Sequence, residues 1–397
     1  MSLNGVVSAE RLHIGFFGLR NAGKSSLVNT VTGQELSVVS SVKGTTTDPV
    51  KKAMELLPLG PVVIIDTPGF DDEGALGELR VKKTREILTK TDIAVLVVDA
   101  TIGLTKVDEQ LIALFKEKNT PFIIAYNKND IAKANTALNE NEIYVSTINN
   151  EGINELKELL GKLIKQKDAP KPIVADLLNE GDMVILVIPI DEAAPKGRII
   201  LPQQLVLREL LDNNCTAICC KETDLKHTLC ALKEKPALVI TDSQVFSYVS
   251  DVLNDDILLT SFSILFARYK GDLETLVKGA FAIKNLKDGD TVLISEGCTH
   301  HRQCNDIGTE KIPKVVQKFS GKQLNFEFTS GGEFPENLEK FNLIIHCGGC
   351  MLNEKEMKAR LEKANMQNIP IVNYGVCLAL TSGILERSLK PFKNFNK

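Results

Sequence analysis

Short apolar runs at 14–17, 62–65, 94–98, 122–125 and 143–145 punctuate residues 1–167, and amphipathic stretches of helical spacing separate them. This rhythm predicts a mostly parallel sheet covered by helices. Residues 165–172 (Lys-Gln-Lys-Asp-Ala-Pro-Lys-Pro) are charged and carry two prolines, so a linker is expected, set at 168–176. Strand-like runs follow at 183–188, 216–220, 238–241 and 257–260, with helical stretches at 203–211 and 244–253. They make a second α/β unit, 177–268, without a chemical motif, for which an interaction or dimerisation role is the default. A third unit, 269–397, opens with a helical stretch at 273–286 and a turn at Lys287-Asp288-Gly289-Asp290. Strands at 291–295, 343–346 and 369–373 then run toward Cys298, Cys347 and Cys377. A helix at 354–364 turns Met357, Leu361 and Ala364 to one face. The fold class is therefore α/β: a P-loop nucleotide-binding fold, then two smaller α/β units with mostly parallel sheets. Open sheets of this kind build their sites at the carboxyl ends of strands, where both sets of chemical residues fall.

Composition changes this picture in two ways. Forty-seven basic residues against 51 acidic ones leave no general basic field for nucleic acid. No signal-like N-terminus and no apolar run near the ~20 residues of a membrane helix occurs, so a cytoplasmic protein without a membrane role is expected. Nine cysteines in such a chain suggest metal or redox chemistry rather than disulfides, and none lies in the first unit.

Gly18-Leu19-Arg20-Asn21-Ala22-Gly23-Lys24-Ser25 follows an apolar strand and precedes the helix-like Ser26-Leu27-Val28-Asn29. That context fits the GxxxxGK[ST] phosphate loop. Gly18 and Gly23 permit turns that aim the amides of residues such as Ala22 and Ser26 at phosphate oxygens, helped by the helix N-terminus. Lys24 reaches the β- and γ-phosphates, and the Ser25 hydroxyl coordinates Mg²⁺. Asp66-Thr67-Pro68-Gly69 supplies an aspartate for Mg²⁺, through water, and a Gly69 amide that senses the γ-phosphate. Asn127-Lys128-Asn129-Asp130 ends the fourth run. Asp130 can accept two hydrogen bonds from guanine N1–H and its 2-amino group, which adenine cannot offer, at a cost of several kcal/mol to the wrong base. Ser146-Thr147 matches the last base-contacting turn. The site is expected to bind GTP and GDP.

With these boxes the first unit resembles the TrmE–Era branch of small GTPases. The resemblance implies that Asn21 helps ligate K⁺ beside the phosphates. It also implies that Thr46, within Gly44-Thr45-Thr46-Thr47-Asp48, is a Mg²⁺ ligand. Thr47 stands where the branch carries arginine, and Phe70 stands where Ras-like members carry the glutamine that orients water. Slow intrinsic hydrolysis, stimulated by K⁺, is the implied activity, with Lys24, Ser25, Thr46, Asp66 and Gly69 as its machinery.

Near the other end stand Cys298-Thr299-His300 and His346-Cys347-Gly348-Gly349-Cys350. Thiolate and imidazole suit Zn²⁺ or iron–sulfur clusters. Cys347 and Cys350 are spaced to hold one centre together, and Cys298 can join them if the two strand ends are neighbours. Three thiolates without an obvious fourth cysteine fit a [4Fe–4S] cluster with one exchangeable corner. Structural zinc closed by His300 or His346 fits as well.

The pair CxH…HCxxC, behind a TrmE–Era-like head and a middle unit without a site, resembles the HydF family of [FeFe]-hydrogenase maturation GTPases along the whole chain. The resemblance implies a scaffold that holds a [4Fe–4S] cluster on Cys298, Cys347 and Cys350. It also implies a transient diiron precursor, received through radical-SAM maturases and delivered to apo-[FeFe]-hydrogenase, in a protein that forms a homodimer. His300 and His346 match the motif as a fourth ligand, as a contact to cargo or as hydrogen-bond donors behind the ligands; Glu310 or Asp306 could also fill the corner. Cys304 and His301 match no motif position. Cys377 is expected in the core, and Cys215, Cys219, Cys220 and Cys230 in core or interface. His13 and His227 are read as structural or surface residues, and the lysine-rich stretch 106–118 as a solvated face. The alternatives are an RNA- or ribosome-associated TrmE–Era GTPase with a structural zinc tail, and a redox enzyme.

Overall fold

The computed structural model describes residues 10–34, 50–69, 76–133, 137–165, 171–190, 199–297, 307–349 and 352–395. The chain divides into two compact units, Met1–Ala169 and Pro170–Lys397.

In the first unit the elements are β1 (Leu12–Phe17), α1 (Lys24–Thr32), β2 (Val50–Leu56), β3 (Gly60–Asp66), α2 (Leu76–Leu88), β4 (Ile93–Asp99), α3 (Lys106–Glu117), β5 (Phe122–Asn127), α4 (Asn129–Ala132), β6 (Glu142–Tyr144) and α5 (Ile153–Lys165). They build one sheet ordered β2-β3-β1-β4-β5-β6, in which β2 alone runs antiparallel. The central strand β4 is apolar from Ile93 to Val98 and buried throughout that stretch, because helices cover both faces of the sheet. Helix α3 starts at Thr105, whose hydroxyl and amide exchange hydrogen bonds with the Asp108 amide and carboxylate. It buries Leu111 and Phe115 and leaves Lys106, Lys116 and Lys118 exposed.

The second unit begins with β7 (Met183–Val187), α6 (Leu201–Asp212), β8 (Thr216–Cys220), α7 (Leu225–Ala231), β9 (Leu238–Thr241), α8 (Phe246–Val252), β10 (Leu259–Ser261) and α9 (Phe262–Lys270). Its first sheet, β10-β9-β7-β8, is parallel throughout. The chain continues through α10 (Leu273–Ala282), β11 (Thr291–Ser295), α11 (Ile312–Ser320), β12 (Asn325–Thr329), β13 (Leu343–His346), α12 (Glu354–Met366), β14 (Ile371–Asn373), α13 (Tyr374–Thr381) and α14 (Leu385–Leu389). These strands form a second parallel sheet, β12-β11-β13-β14. A single apolar core runs through both layers, from Val206 and Leu210 through Leu265 and Leu276 to Ile345 and Val376. The division placed at 268 from the sequence falls inside α9, which packs into that shared core. Cys215 and Cys377 are buried, whereas Cys219 and Cys230 are exposed. Among the described residues no helix is long and apolar enough to cross a membrane.

Candidate functional site

The nucleotide residues gather at the carboxyl edge of the first sheet. Gly18, Asn21, Ala22 and Gly23 form the loop between β1 and α1, and Lys24, Ser25 and Ser26 open the helix. Gly23 has φ 88° and caps α1; a Cβ there would fall 2.2 Å from Asn127 Nδ2. Gly18 has φ 141°, and its Cβ would fall 2.2 Å from the Val97 carbonyl oxygen. Only glycine lets this loop lie so close to β4 and β5.

Lys24 is buried, and its Nζ donates to the Leu19 carbonyl at 2.8 Å, holding the side chain across the loop. Ser25 Oγ donates to Asp66 Oδ2 at 2.8 Å, so the two groups expected at Mg²⁺ are in direct contact. Asp66 Oδ1 is buried and has no hydrogen-bond partner among the described residues. An orphaned carboxylate oxygen is costly unless a ligand, ion or water satisfies it, which fits a hydrated Mg²⁺. Gly69 packs against the loop: a Cβ there would lie 2.8 Å from Arg20 Cα and 3.1 Å from Lys24 Nζ. Gly69 is thereby beside the lysine expected at the terminal phosphate.

Of the residues expected to read the base, Asn127 touches the same loop. Asn127 Nδ2 donates to the Ala22 carbonyl at 3.0 Å, while its buried Oδ1 has no partner among the described residues. Lys128 takes φ 66° and bonds Asp99 Oδ2 at 2.6 Å. Burial raises the Asp99 pKa, but hydrogen bonds from Lys128 and Thr101 outweigh it, leaving the carboxyl below its ordinary value. Ser146, fully buried, donates to Asp130 Oδ1 at 2.7 Å, and Thr147 follows it, half-buried. Thr46 and Phe70 lie outside the described residues.

The second constellation sits where β11 and β13 end. The strands are hydrogen-bonded neighbours with Ser295 opposite His346, and the Cys347 amide donates to the Ser295 carbonyl at 2.9 Å. The Gly297 amide donates to Cys347 Sγ at 3.0 Å and the Gly349 amide at 3.4 Å. The chain entering Cys298 therefore passes directly beside the Cys347 sulfur. Amides aimed at a cysteine sulfur are the contacts through which proteins tune iron–sulfur clusters, and the Cys347 thiolate, held by two such amides, suits one. Cys298, His300 and Cys350 lie outside the described residues, as do His301, Cys304 and Asp306. Among the described residues no three His, Cys, Asp or Glu converge as a metal site.

His346 is fully buried behind the strand end. Its Nδ1 is 2.7 Å from the Cys347 carbonyl oxygen and its Nε2 is 2.9 Å from Arg360 Nη1. Burial and the Arg360 charge push its pKa down to about 3, against the opposing pull of the bond to Cys347, so the ring is neutral. Both ring nitrogens are engaged within the protein. Glu310 bonds Lys314 at 3.2 Å on an exposed face of the turn before α11.

Four residues near this centre escape sequence reading. Arg360 is buried and also bonds Glu356 Oε1 at 3.2 Å and the Gly331 carbonyl at 2.8 Å. Glu296, buried beside the strand end, accepts from the Tyr374 hydroxyl at 3.3 Å. The available signal was the Glu356–Arg360 spacing of four on the same helical face as Met357, Leu361 and Ala364. Asp99, after the apolar run of β4, was likewise missed.

Comparison with known proteins agrees with this division of labour. The model of the hydrogen maturase F dimerization domain matches residues 173–271, and that of its tetramerization domain matches 274–391. Between them they account for more than half of the chain. The chain belongs to the HydF family. Ahead of those domains, the model described as a 50S ribosome-binding GTPase matches residues 13–128, so this HydF-family chain carries a GTPase domain at its front. Two curated relatives each match about two fifths of the chain. The tRNA modification GTPase MnmE of Clostridioides difficile (strain 630) is 30% identical over 169 residues, 41% of this chain and 36% of that protein. MnmE of Legionella pneumophila (strain Corby) is 33% identical over 166 residues, 40% of this chain and 36% of that protein. The HydF-family chain thus spans about a third of the length of these relatives. Among solved structures, the G domain of T. maritima FeoB is 20% identical with a TM-score of 0.31, covering 39% of this chain and 99% of that one.

Proposed function

We propose that the protein is a GTP-binding and GTP-hydrolysing scaffold in [FeFe]-hydrogenase maturation. It holds a [4Fe–4S] cluster on Cys298, Cys347 and Cys350 and carries a diiron precursor to the apo-hydrogenase. The observation that supports this reading most directly is the 3.0 Å contact from the Gly297 amide to Cys347 Sγ. It brings the chain carrying the first cysteine against the sulfur of the second. A cluster bound there would supply the iron corner to which cargo attaches. His346, with both nitrogens engaged, acts as a support that fixes the Cys347 carbonyl. His300, Glu310 and Asp306 remain as groups for the fourth corner.

In the GTPase domain, Lys24 holds the phosphates, Ser25 and Thr46 hold Mg²⁺ directly, and Asp66 holds it through water. Asn21 contributes to a K⁺ site, and Asp130, braced by Ser146, selects guanine. The bound γ-phosphate orders the Thr46 segment and the chain after Gly69, and this switch governs exchange of partners. Those partners are the radical-SAM maturases and apo-hydrogenase, and the working form is a homodimer assembled through residues 173–271, in the cytoplasm.

The test is anaerobic co-purification with a radical-SAM maturase in the presence of GTP or GDP. Different retention in the two nucleotide states is expected, and equal retention would remove the switch from the scheme.

A further inference from the structure

Asp99 is the last residue of β4 and stands opposite Asn127, the last residue of β5, in their parallel ladder. Just past the strand end, the Ala100 amide donates to the Asn127 carbonyl at 2.8 Å. The next side chain of the β5 turn then reaches back to β4: Lys128 Nζ donates to Asp99 Oδ2 at 2.6 Å. The other carboxylate oxygen, Oδ1, accepts from the Thr101 amide at 2.9 Å and the Thr101 hydroxyl at 2.6 Å. Both oxygens of Asp99 are thus engaged. Burial pushes its carboxyl up, the bonds from Lys128 and Thr101 draw it down further, and it stays ionised at neutral pH.

Lys128 needs such a hold. Its backbone takes φ 66° and ψ 31° ahead of α4, the left-handed region. A residue with a Cβ keeps that conformation only where its surroundings enforce it. The turn from Asn127 to Asp130 is gripped from three directions. Asn127 Nδ2 ties it to the phosphate loop through the Ala22 carbonyl at 3.0 Å. On the side of β6, the Asn129 amide donates to the Val145 carbonyl at 3.2 Å, and Asp130 accepts from Ser146 at 2.7 Å. On the side of β4, the grip is the Lys128–Asp99 bond. As an ion pair that reaches water it adds little to folding, so its effect is one of position.

We propose that Asp99 is a positioning residue for guanine recognition, which fixes the turn carrying Asp130 by holding Lys128. This rests on the reading of Asn127–Asp130 as the base-contacting turn. Losing Asp99 releases the turn on one side, and the carboxylate of Asp130 no longer waits in place for the base. The cost falls on the base and not on the phosphates, because Lys24, Ser25 and Asp66 are placed by the start of α1 and the end of β3. Affinity for guanine nucleotides therefore drops, while hydrolysis of bound GTP continues at its usual rate.

The experiment compares the full-length protein with Asp99→Asn, Thr101→Val, Lys128→Met, the double variant Asp99→Asn/Lys128→Met and, as a reference, Asp130→Ala. Dissociation constants for GDP and ADP are measured by competition with a fluorescent guanine nucleotide, and kcat and KM with GTP. Asp99→Asn should weaken GDP by roughly tenfold, as loss of a hydrogen bond between charged groups implies, and leave ADP nearly unchanged. KM for GTP should rise while kcat holds. Thr101→Val keeps the amide donor and loses the hydroxyl, so it should shift GDP the same way by less; it carries the test if Asp99→Asn fails to fold. The double variant should bind GDP no more weakly than Lys128→Met alone, because Asp99 acts through Lys128. Additive losses in the double variant would overturn the proposal. Equal weakening of GDP and ADP would overturn it too, making Asp99 a general stabilising residue. An unchanged GDP/ADP ratio in Asp99→Asn, beside a ratio that falls in Asp130→Ala, would overturn this proposal and leave the base assignment standing. A ratio unmoved by Asp130→Ala would defeat the base assignment itself, and the proposal with it.

Discussion

Arg360 Nη1 lies 2.9 Å from His346 Nε2, and His346 Nδ1 lies 2.7 Å from the carbonyl oxygen of Cys347. Arginine is always a donor, so Nε2 is the acceptor and Nδ1 carries the proton given to Cys347. The tautomer follows from a buried cation on α12. Glu356 and the Gly331 carbonyl satisfy the other end of the guanidinium. Replacing Arg360 with methionine leaves a buried carboxylate and a buried imidazole nitrogen without this partner. The expected loss is roughly 3–5 kcal/mol of unfolding free energy. Denaturant unfolding followed by a probe in the second unit checks it. The double variant Glu356→Leu/Arg360→Met should recover part of that loss, because it leaves no lone buried charge.

Asp130→Ala removes the acceptor that Ser146 holds at 2.7 Å. Guanine preference over adenine should fall by roughly 100-fold, the size of a lost hydrogen-bond pair to a charged group. Competition of GTP and ATP for the site measures this, and an unaltered ratio would contradict the base assignment.

Gly23→Ala places a methyl group 2.2 Å from Asn127 Nδ2 at a backbone of φ 88°. Nucleotide binding should be lost or severely weakened while the fold of residues 170–397 persists, checked by titration with a fluorescent guanine nucleotide. In the intact protein, GTP turnover should be faster in K⁺ than in Na⁺. Asn21→Ala should erase that difference without abolishing binding.

Burial pushes the Cys377 thiol up to about 12 from an ordinary 9.0. At pH 8 it stays protonated and shielded, so a thiol reagent should label exposed Cys219 and spare Cys377 until the protein unfolds. Because the unfolded thiol ionises first, the contribution of Cys377 to stability is complete below pH 9 and declines as pH rises toward 12. Substitution by serine should flatten that part of the stability curve.

The legible parts of the chain are those in which local pattern and chemistry coincide. The run before Gly18 is β1, and the glycine spacing of the loop has the close approaches that glycine serves. Buried central strands such as β4 and β13 appear in sequence as continuous apolar runs. Two edge strands do not: β2 (VKKAMEL) and β12 (NFEFT) leave most side chains exposed, so neither carries a readable hydrophobic face. Helix α9 escaped for the opposite reason, being apolar nearly all round and continuous with β10. The Arg360–His346 and Lys128–Asp99 pairs span 14 and 29 residues. Such contacts arise from tertiary packing, which no local window contains. Sequence could place Cys298 and Cys347 at strand ends, but the adjacency of those strands is a property of sheet order.

The central claim is that cysteines from two neighbouring strand ends hold an iron–sulfur cluster. Its most direct test is metal and sulfide analysis with electron paramagnetic resonance, on protein reconstituted without oxygen, beside a Cys347→Ser variant. The account predicts ~4 iron and ~4 sulfide per chain with a reducible cluster signal. In the variant that signal should be lost or altered while guanine-nucleotide binding is retained. Stoichiometric zinc without iron or sulfide in the wild-type protein would contradict it.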